Sequence, residues 1–244
     1  MLRPMFASVA QTYDFANKLL TFGFDKQWRE ACAKEPPRGR FVIDLCCGTG
    51  DLSLCLYPTL GSESLLVGLD FSKEMMRKAA EKKNKIGQME KNSTATNGSS
   101  GKGKSNFTLM IADAANLPLK NECIDDIRIS FSFRNLIYKN RKAVTYLKEA
   151  SRVLKKTAKL TCIETSQPKN HFVRGCFHFY CLTIVPFIGG IISGRNAPYR
   201  YLGKSAANFP MPQDVLTMLK KAGFEKAKFK PLFLGVVGLY VAKK

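Results

Sequence analysis

Acidic residues are scarce in this chain: 19 Asp and Glu stand against 39 Lys and Arg, a formal net charge of +20 over 244 residues. Such a surface favours anionic partners, either nucleic acid or the headgroups of acidic lipids, and charge alone does not choose between them. Histidine is scarcer still. Neither His171 nor His178 has an acidic neighbour in the sequence, so both read as structural or surface groups rather than as a general base. Other absences exclude whole classes. No Gly-Lys-Ser/Thr follows the glycine-rich turn at Gly48, which excludes a P-loop, and Ser53 stands where a GxGxxG dinucleotide fingerprint needs its last glycine. The eight cysteines include no pair of zinc-knuckle spacings, and Cys46, Cys47 and Cys162 lie inside apolar runs. They are expected to be small buried thiols in a reducing compartment, with no metal site. Met1 to Ala10 is too short in apolar content for a signal peptide. The one long apolar stretch, Cys176 to Gly194, is interrupted by His178, Pro186 and Gly189-Gly190. It is expected to be an element with a greasy face, not a membrane span.

What is present suits a globular chain. Hydrophobic residues make up 45% and charged residues 24%, which excludes wholesale disorder and leaves enough apolar mass for a sizeable core. One domain over 1–244 accounts for the pattern. Apolar residues from Phe6 to Ala33 recur at helical spacing with a break at Gly23, predicting two helices in a cap over 1–38. Continuous apolar runs bounded by glycine predict buried strands at Phe41–Cys46 and Leu65–Asp70. Ser72 is the expected N-cap of the helix that follows. The polar stretch from Gly87 to Ser105 lacks periodicity and is expected to be a flexible inserted loop. Further strands are predicted at Phe107–Ile111, Ile124–Phe131 and Ala158–Glu164, and helices at Lys142–Leu154 and Pro212–Ala222. Two strands close the chain, Phe224–Lys230 and Val236–Ala242. Strand and helix alternating in this way imply an α/β fold, a mostly parallel sheet with an antiparallel edge. The region 170–210 then becomes a helical insertion placed to cover a pocket.

With acids so few, their positions carry information. Asp44, Asp70 and Asp113 all fall at or near the carboxyl ends of predicted strands, where ligands of doubly wound sheets lie. Gly48-Thr49-Gly50 allows close backbone approach at a helix start, and Asp70 ends the next strand, placed to take both hydroxyls of a ribose. Together they point to a nucleoside cofactor.

These residues carry a resemblance. Asp44 to Asp51 (DLCCGTGD) resembles the first motif of class I S-adenosylmethionine-dependent methyltransferases, Leu69-Asp70-Phe71-Ser72 the ribose-binding strand end, and Ala112 to Pro118 the adenine-contacting turn. Arg152-Val153-Leu154-Lys155 resembles the helix end before the fifth strand. Phe6 to Asp14, Ile129 to Asn135, Tyr199 to Leu202 and Phe209-Pro210 are similar to the UbiE/COQ5 quinone C-methyltransferases. The matches run in order over nearly the whole chain, and the Arg134-Asn135 and Tyr199–Leu202 signatures are the selective ones. The chain departs from the family in three places: Lys156-Thr157-Ala158 replaces the usual Pro-Gly-Gly, Cys123 to Asp126 replaces Phe-Asp, and Gly238-Leu239-Tyr240 stands where many members have Ala-Leu-His.

The resemblance implies a Rossmann-like, seven-stranded sheet with helices on both faces, and S-adenosyl-L-methionine as cofactor. The methyl acceptor it implies is a ring carbon of a polyprenylated quinol in menaquinone or ubiquinone synthesis. It implies cofactor contacts from Gly48, Thr49, Gly50, Asp70, Asp113, Ala114 and Ser130. Arg134 and Asn135 are implied catalytic residues, the cation steadying a developing phenolate and the amide orienting the ring. Tyr13, Tyr199, Arg200 and Tyr201 are implied walls of the substrate site. The basic surface then suits peripheral docking on an anionic membrane, from the cytoplasm or the mitochondrial matrix side, with no nucleic acid expected. A homodimer or a larger quinone-synthesis assembly stays open. The alternative is an RNA or other small-molecule methyltransferase with a basic nucleic-acid surface. Neither a strand-end cysteine pair nor an Asn/Asp-Pro-Pro-Tyr/Phe motif supports it.

Overall fold

The computed structural model describes residues 2–37, 39–97 and 106–244. It opens with three helices, α1 (Leu2–Val9), α2 (Tyr13–Leu20) and α3 (Phe24–Lys34), where the periodicity predicts two. The additional break lies at Ala10–Thr12, where the Thr12 N–H turns back onto the Val9 carbonyl at 3.1 Å. The apolar period runs straight through this break because Val9, Ala16 and Leu20 all pack into one cluster. The second break comes at Gly23, whose φ of +76° is open to glycine without steric cost.

Strands and helices then alternate: β1 (Phe41–Leu45), α4 (Asp51–Leu56), β2 (Leu65–Asp70), α5 (Lys73–Asn97), β3 (Asn106–Ile111), β4 (Ile124–Ser130), α6 (Phe133–Ile137), α7 (Ala143–Val153) and β5 (Leu154–Thr165). After these come α8 (His171–Phe179), α9 (Val185–Ser193), α10 (Asn196–Ala207), α11 (Pro212–Lys221), β6 (Lys226–Leu232) and β7 (Val237–Lys243). The seven strands form one sheet in the order β3-β2-β1-β4-β5-β7-β6. All the neighbouring pairs from β3 to β5 are parallel, while β7 inserts antiparallel between β5 and β6. Strand order reverses between β1 and β4, so a crevice opens at their carboxyl ends.

Alternation along β1 places its side chains on both faces. Ile43 and Leu45 enter a cluster with Ile127 and Ile129 of β4, while Val42 joins Leu52, Leu56 and Leu66 on the other side. Each such fully buried aliphatic side chain contributes roughly 1.5–3 kcal/mol. The cap is fastened to this sheet by Arg128 of β4. Fully buried, it pairs in bidentate fashion with Asp126 at 2.8 Å and donates to the Cys32 and Glu35 carbonyls at the end of α3.

The expectations for two long segments need correction. Helix α5 continues to Asn97, so the part of the expected 87–105 loop up to 97 is helical, and residues 98–105 lie outside the described residues. The start of α5 explains the extension: Met75, Met76 and Ala79 are buried and the Ser72 hydroxyl accepts from the Met75 N–H. Once nucleated, a helix lengthens at little cost per residue even through a sequence of low propensity.

The second concerns Pro186 and the glycine pair, expected to break the apolar stretch. The chain is instead helical without interruption from His171 to Ser193, long and apolar enough to cross a membrane, with 22% of its most apolar window buried. A π turn at Tyr180–Ile184 sits just before Pro186, a wider turn that accommodates the ring and its missing N–H. The sheet topology nevertheless excludes a span. β5 precedes this helix and β7 follows it, yet the two pair over seven residues from Lys159↔Lys243 to Thr165↔Val237. Both flanks therefore lie on one side. The returning α10 has 12 residues, about 18 Å at 1.5 Å per residue, short of a roughly 30 Å hydrocarbon core. α10 packs tightly on the long helix, where a methyl group at Gly203 would collide with the Cys181 carbonyl oxygen.

All eight cysteines are unpaired, but only Cys32, Cys162 and Cys181 are buried and Cys176 is exposed. The expectation of uniformly buried thiols thus fails for Cys176.

Candidate functional site

The crevice between β1 and β4 is built from backbone first. Gly48 and Gly50 adopt φ of +56° and +83°, and Cβ space at Gly48 is open while that at Gly50 is closed by Ala79 of α5 at 3.1 Å. The Gly48 N–H donates to Asp70 Oδ2 at 3.0 Å, and the Ser72 N–H donates to Asp70 Oδ1 at 2.9 Å. Burial raises the Asp70 carboxyl pKa, and these amides work against that rise. On the neighbouring strand end Asp113 is exposed, its Oδ1 accepting from the Ala115 N–H at 2.9 Å, while Ala114 beside it is buried. Glycine turn, Asp70 and the Asp113–Ala114 turn thus line successive strand ends, as the sequence places them.

Polar atoms without partners mark the same crevice. Asp44 at the end of β1 accepts from the Ser53 hydroxyl at 2.6 Å through Oδ2, but its Oδ1 is buried and unpaired. Burial pushes this carboxyl up to about 7. The Ser130 hydroxyl, at the end of β4, is likewise buried and unpaired. A nucleoside-sulfonium ligand carrying an ammonium group, ribose hydroxyls and a base fits this donor and acceptor set.

The cap is tied to the glycine turn by charge. The Thr49 hydroxyl donates to Asp14 Oδ1 of α2 at 2.7 Å, and Lys82 of α5 reaches Thr49 at 3.1 Å, Asp14 Oδ2 at 2.7 Å and Asp51. Arg29 of α3 pairs with Asp25 and lies 3.7 Å from Asp51.

Arg134, at the start of α6, is buried. Its Nη1 donates to Glu164 Oε1 and to the Phe131 carbonyl, both at 2.8 Å, and its own N–H donates to Glu164 Oε2 at 3.0 Å. Its Nε is buried and unpaired, as is Oδ1 of Asn135. Burial opposes the charge, but Glu164, then Tyr13, hold the guanidinium pKa above its ordinary value. Tyr13 is raised by burial, with Arg134 pulling it down.

Arg134 and Tyr13 stand where two cavities meet. One of about 360 Å3 runs between α2, α3 and the long helix past Asn17, Trp28, Phe177 and Cys181. The other, about 30 Å3, is lined by Asn135, Tyr199 and Tyr201 among others. The structure therefore brings Tyr13, Arg134, Asn135, Tyr199 and Tyr201 together. It does not bring Arg200, which is exposed and lines a separate outer cavity with Leu182, Phe187 and Lys204. Arg200 is exposed on α10, whereas Tyr199 beside it is buried.

Sequence reasoning missed Glu164, Asp14 and Lys82. A signal existed for the first: Glu164 ends the apolar run Leu160 to Ile163 in a strand buried on both faces, and a lone carboxylate there needs a partner. Asp14 and Lys82 meet only in three dimensions.

A family model described as the ubiE/COQ5 methyltransferase family matches residues 2–244. A demethylmenaquinone methyltransferase of Thermotoga maritima is 34% identical over 97% of this chain and 93% of its own length. A ubiquinone/menaquinone biosynthesis C-methyltransferase UbiE of Geotalea daltonii is 30% identical over 100% of this chain and 96% of its own. Among solved structures, a SAM-dependent methyltransferase of Thermotoga maritima, described as a possible histamine N-methyltransferase, superposes with a TM-score of 0.61 at 17% identity, over 98% of both chains. A SAM-dependent methyltransferase of Aquifex aeolicus gives 0.57 at 18% identity, over 85% and 84%. At such identities these two show the fold alone.

Proposed function

This chain belongs to the ubiE/COQ5 methyltransferase family, an S-adenosylmethionine-dependent one, and from that premise we propose that it methylates a ring carbon of a polyprenylated quinol in menaquinone or ubiquinone synthesis. The observation that carries the reading is the place of Arg134, a buried cation at the junction of the larger apolar cavity and the smaller one. An apolar, tailed aromatic ring fits the first, and a phenolic oxygen at its inner end would meet the guanidinium.

In this reading Gly48, Thr49, Gly50, Asp70, Asp113, Ala114 and Ser130 hold the cofactor, which when bound supplies an electrophilic sulfonium methyl group. The chain's own residues make the acceptor carbon nucleophilic and hold it in line. Arg134 stabilises negative charge as the ring hydroxyl loses its proton, through an Nε–H free to donate. The unpaired Asn135 oxygen accepts from a ring hydroxyl and fixes the ring's rotation. Tyr13, Tyr199 and Tyr201 wall the ring, and the cap helices exclude water. Arg200 takes no part at the ring.

The protein works at a membrane surface. Its +20 charge attracts anionic headgroups, each cation near the surface contributing about 1 kcal/mol. Phe172, Phe179, Phe187 and Ile191 of the long helix are exposed and suit a helix lying in the interface. Two experiments test the whole. Mass spectrometry of quinones from cells lacking the protein should show a demethyl quinone accumulating; an unchanged quinone profile refutes the substrate. Sedimentation with anionic vesicles should show binding released by high salt, and RNA binding at physiological salt without vesicle binding refutes the surface assignment.

A further inference from the structure

We propose that Phe22, Phe233 and Leu234 form a portal through which the polyprenyl tail leaves the large cavity toward the bilayer. This rests on the reading of the acceptor as a tailed quinol and deepens it by assigning the tail its own subsite.

The first observation is strain. Eight non-glycine residues of the described chain have positive φ, and four of them line this one cavity: Phe131 at +52° within it, and Phe22 at +52°, Phe233 at +43° and Leu234 at +56° at its exposed edge. Bulky L-residues rarely adopt this region, because Cβ crowds the following carbonyl oxygen. The second observation is exposure. Phe22 is 79% exposed, Leu234 78% and Phe233 52%, so burial of these side chains does not offset the strain. They come from two separate turns, Phe22 from the turn between α2 and α3, the other two from the turn between β6 and β7. Aromatic contacts lead inward from them: Phe233 lies 5.3 Å from Phe24 and 5.7 Å from Trp28, and Phe22 lies 6.4 Å from Tyr180. Strained backbone that holds apolar side chains in water around the mouth of an apolar cavity points to a ligand or surface those side chains meet.

The volume says which ligand. About 360 Å3 is near the lower end of the roughly 300–1,000 Å3 of small-molecule pockets. It holds a quinol ring and the start of a tail, not a polyprenyl chain. The other cavity at Arg134, about 30 Å3, can take the ring's inner edge and its hydroxyl but not a tail. The remaining isoprene units must pass the rim, and a rim of one leucine and two phenylalanines lets them do so without meeting water. Apolar residues standing proud of the rim would also enter the acyl boundary of a docked membrane.

The test compares two acceptors with the same ring, one without a tail and one with several isoprene units, the latter in phosphatidylcholine vesicles containing phosphatidylglycerol. Leu234→Gly and Phe22→Gly relieve the strained φ while removing the apolar side chain. We expect each to keep or raise the melting temperature. Each should raise KM for the tailed quinol at least tenfold while changing kcat/KM for the untailed one less than twofold. A merely structural role predicts no such split. An unchanged KM for the tailed quinol, or equal shifts for both acceptors, overturns the portal. Wild-type enzyme that methylates neither quinol while binding S-adenosylmethionine overturns instead the quinol reading beneath it.

Discussion

Glu164 tests the chemistry most sharply, because it touches Arg134 and lies outside every motif that identified the site. Its carboxylate is fully buried and accepts four hydrogen bonds, from Arg134 Nη1, the Arg134 N–H, the Thr165 N–H at 2.8 Å and the Thr165 hydroxyl at 3.0 Å. In Glu164→Gln one oxygen becomes an NH2 group. With the oxygen kept at the three-bond position, the amide faces the Arg134 N–H, donor against donor. That costs roughly 1–3 kcal/mol for the unpaired group, and the guanidinium also loses its counter-charge. Removing one partner of a buried ion pair costs about 3–5 kcal/mol, so with partial retention of the bonds we expect a loss of about 2–4 kcal/mol in a urea melt. This is a large fraction of a typical 5–15 kcal/mol, though short of all of it. The catalytic effect comes through the freed guanidinium. If Arg134 steadies the phenolate, as one donor of a preorganised site worth roughly 100–1,000-fold, its release should lower kcat about 10–100-fold. Affinity for S-adenosylmethionine, measured by calorimetry, should stay within about twofold. Arg134→Lys should lose activity similarly but keep the stability, since an ammonium still pairs with Glu164. Folded Glu164→Gln enzyme with wild-type kcat would refute the assignment of Arg134 as the charge-stabilising group.

Thr157, where the family usually has glycine, holds φ at +69°. Thr157→Gly should therefore stabilise the protein by about 1 kcal/mol, raising Tm by roughly 2–4 °C in calorimetry, and no gain would show that the strain is relieved locally. Asp70→Ala removes the acceptor of the Gly48 and Ser72 amides and the group placed for the ribose hydroxyls. It should weaken cofactor binding by about 2–4 kcal/mol, and unchanged affinity in calorimetry removes Asp70 from the site. Asp44, at about 7, binds a proton in the folded state that the unfolded chain releases near pH ~4. Its contribution to stability is thus fully present below that pH and is lost as pH rises through 7. A cationic cofactor should pull this pKa down, so binding at pH 7 should release protons and tighten between about pH 5.5 and 7.5. Calorimetry in buffers of different ionisation enthalpy would show this, and Asp44→Asn should abolish it.

Some of this was legible before any coordinates. β2 runs from Leu65 to Asp70 as its bounded apolar run predicts, because a strand buried on both faces needs continuous apolar residues and ends where they end. The cofactor crevice was legible for the same reason, since in a parallel sheet the end of a strand is where ligands lie and the scarce aspartates sat there. What escaped was contact between distant elements. The Arg134–Glu164 pair joins residues 30 apart on α6 and β5, and Asp14–Lys82 joins the cap to α5. Neither has a periodicity to announce it. Arg200, expected beside Tyr199, is exposed and lines a separate outer cavity.

The long apolar helix shows how one fact of topology can outweigh a correct local reading. Composition alone left Cys176 to Gly194 at the border of a span, and the breakers thought to decide the matter do not break it, since the π turn carries the helix past Pro186. Had the sheet ended at β5, the helix could cross a bilayer. It cannot, because β7 lies against β5 and the whole β6–β7 pair would have to follow it to the far side. Under the proposed docking, an apolar helix that cannot span and leaves Phe172, Phe179, Phe187 and Ile191 exposed lies flat in the interface, with these side chains inward and the basic domain over the headgroups. Val173, Cys176 and Phe177 of that helix line the apolar cavity. That helix is therefore at once the long apolar element and a wall of the pocket.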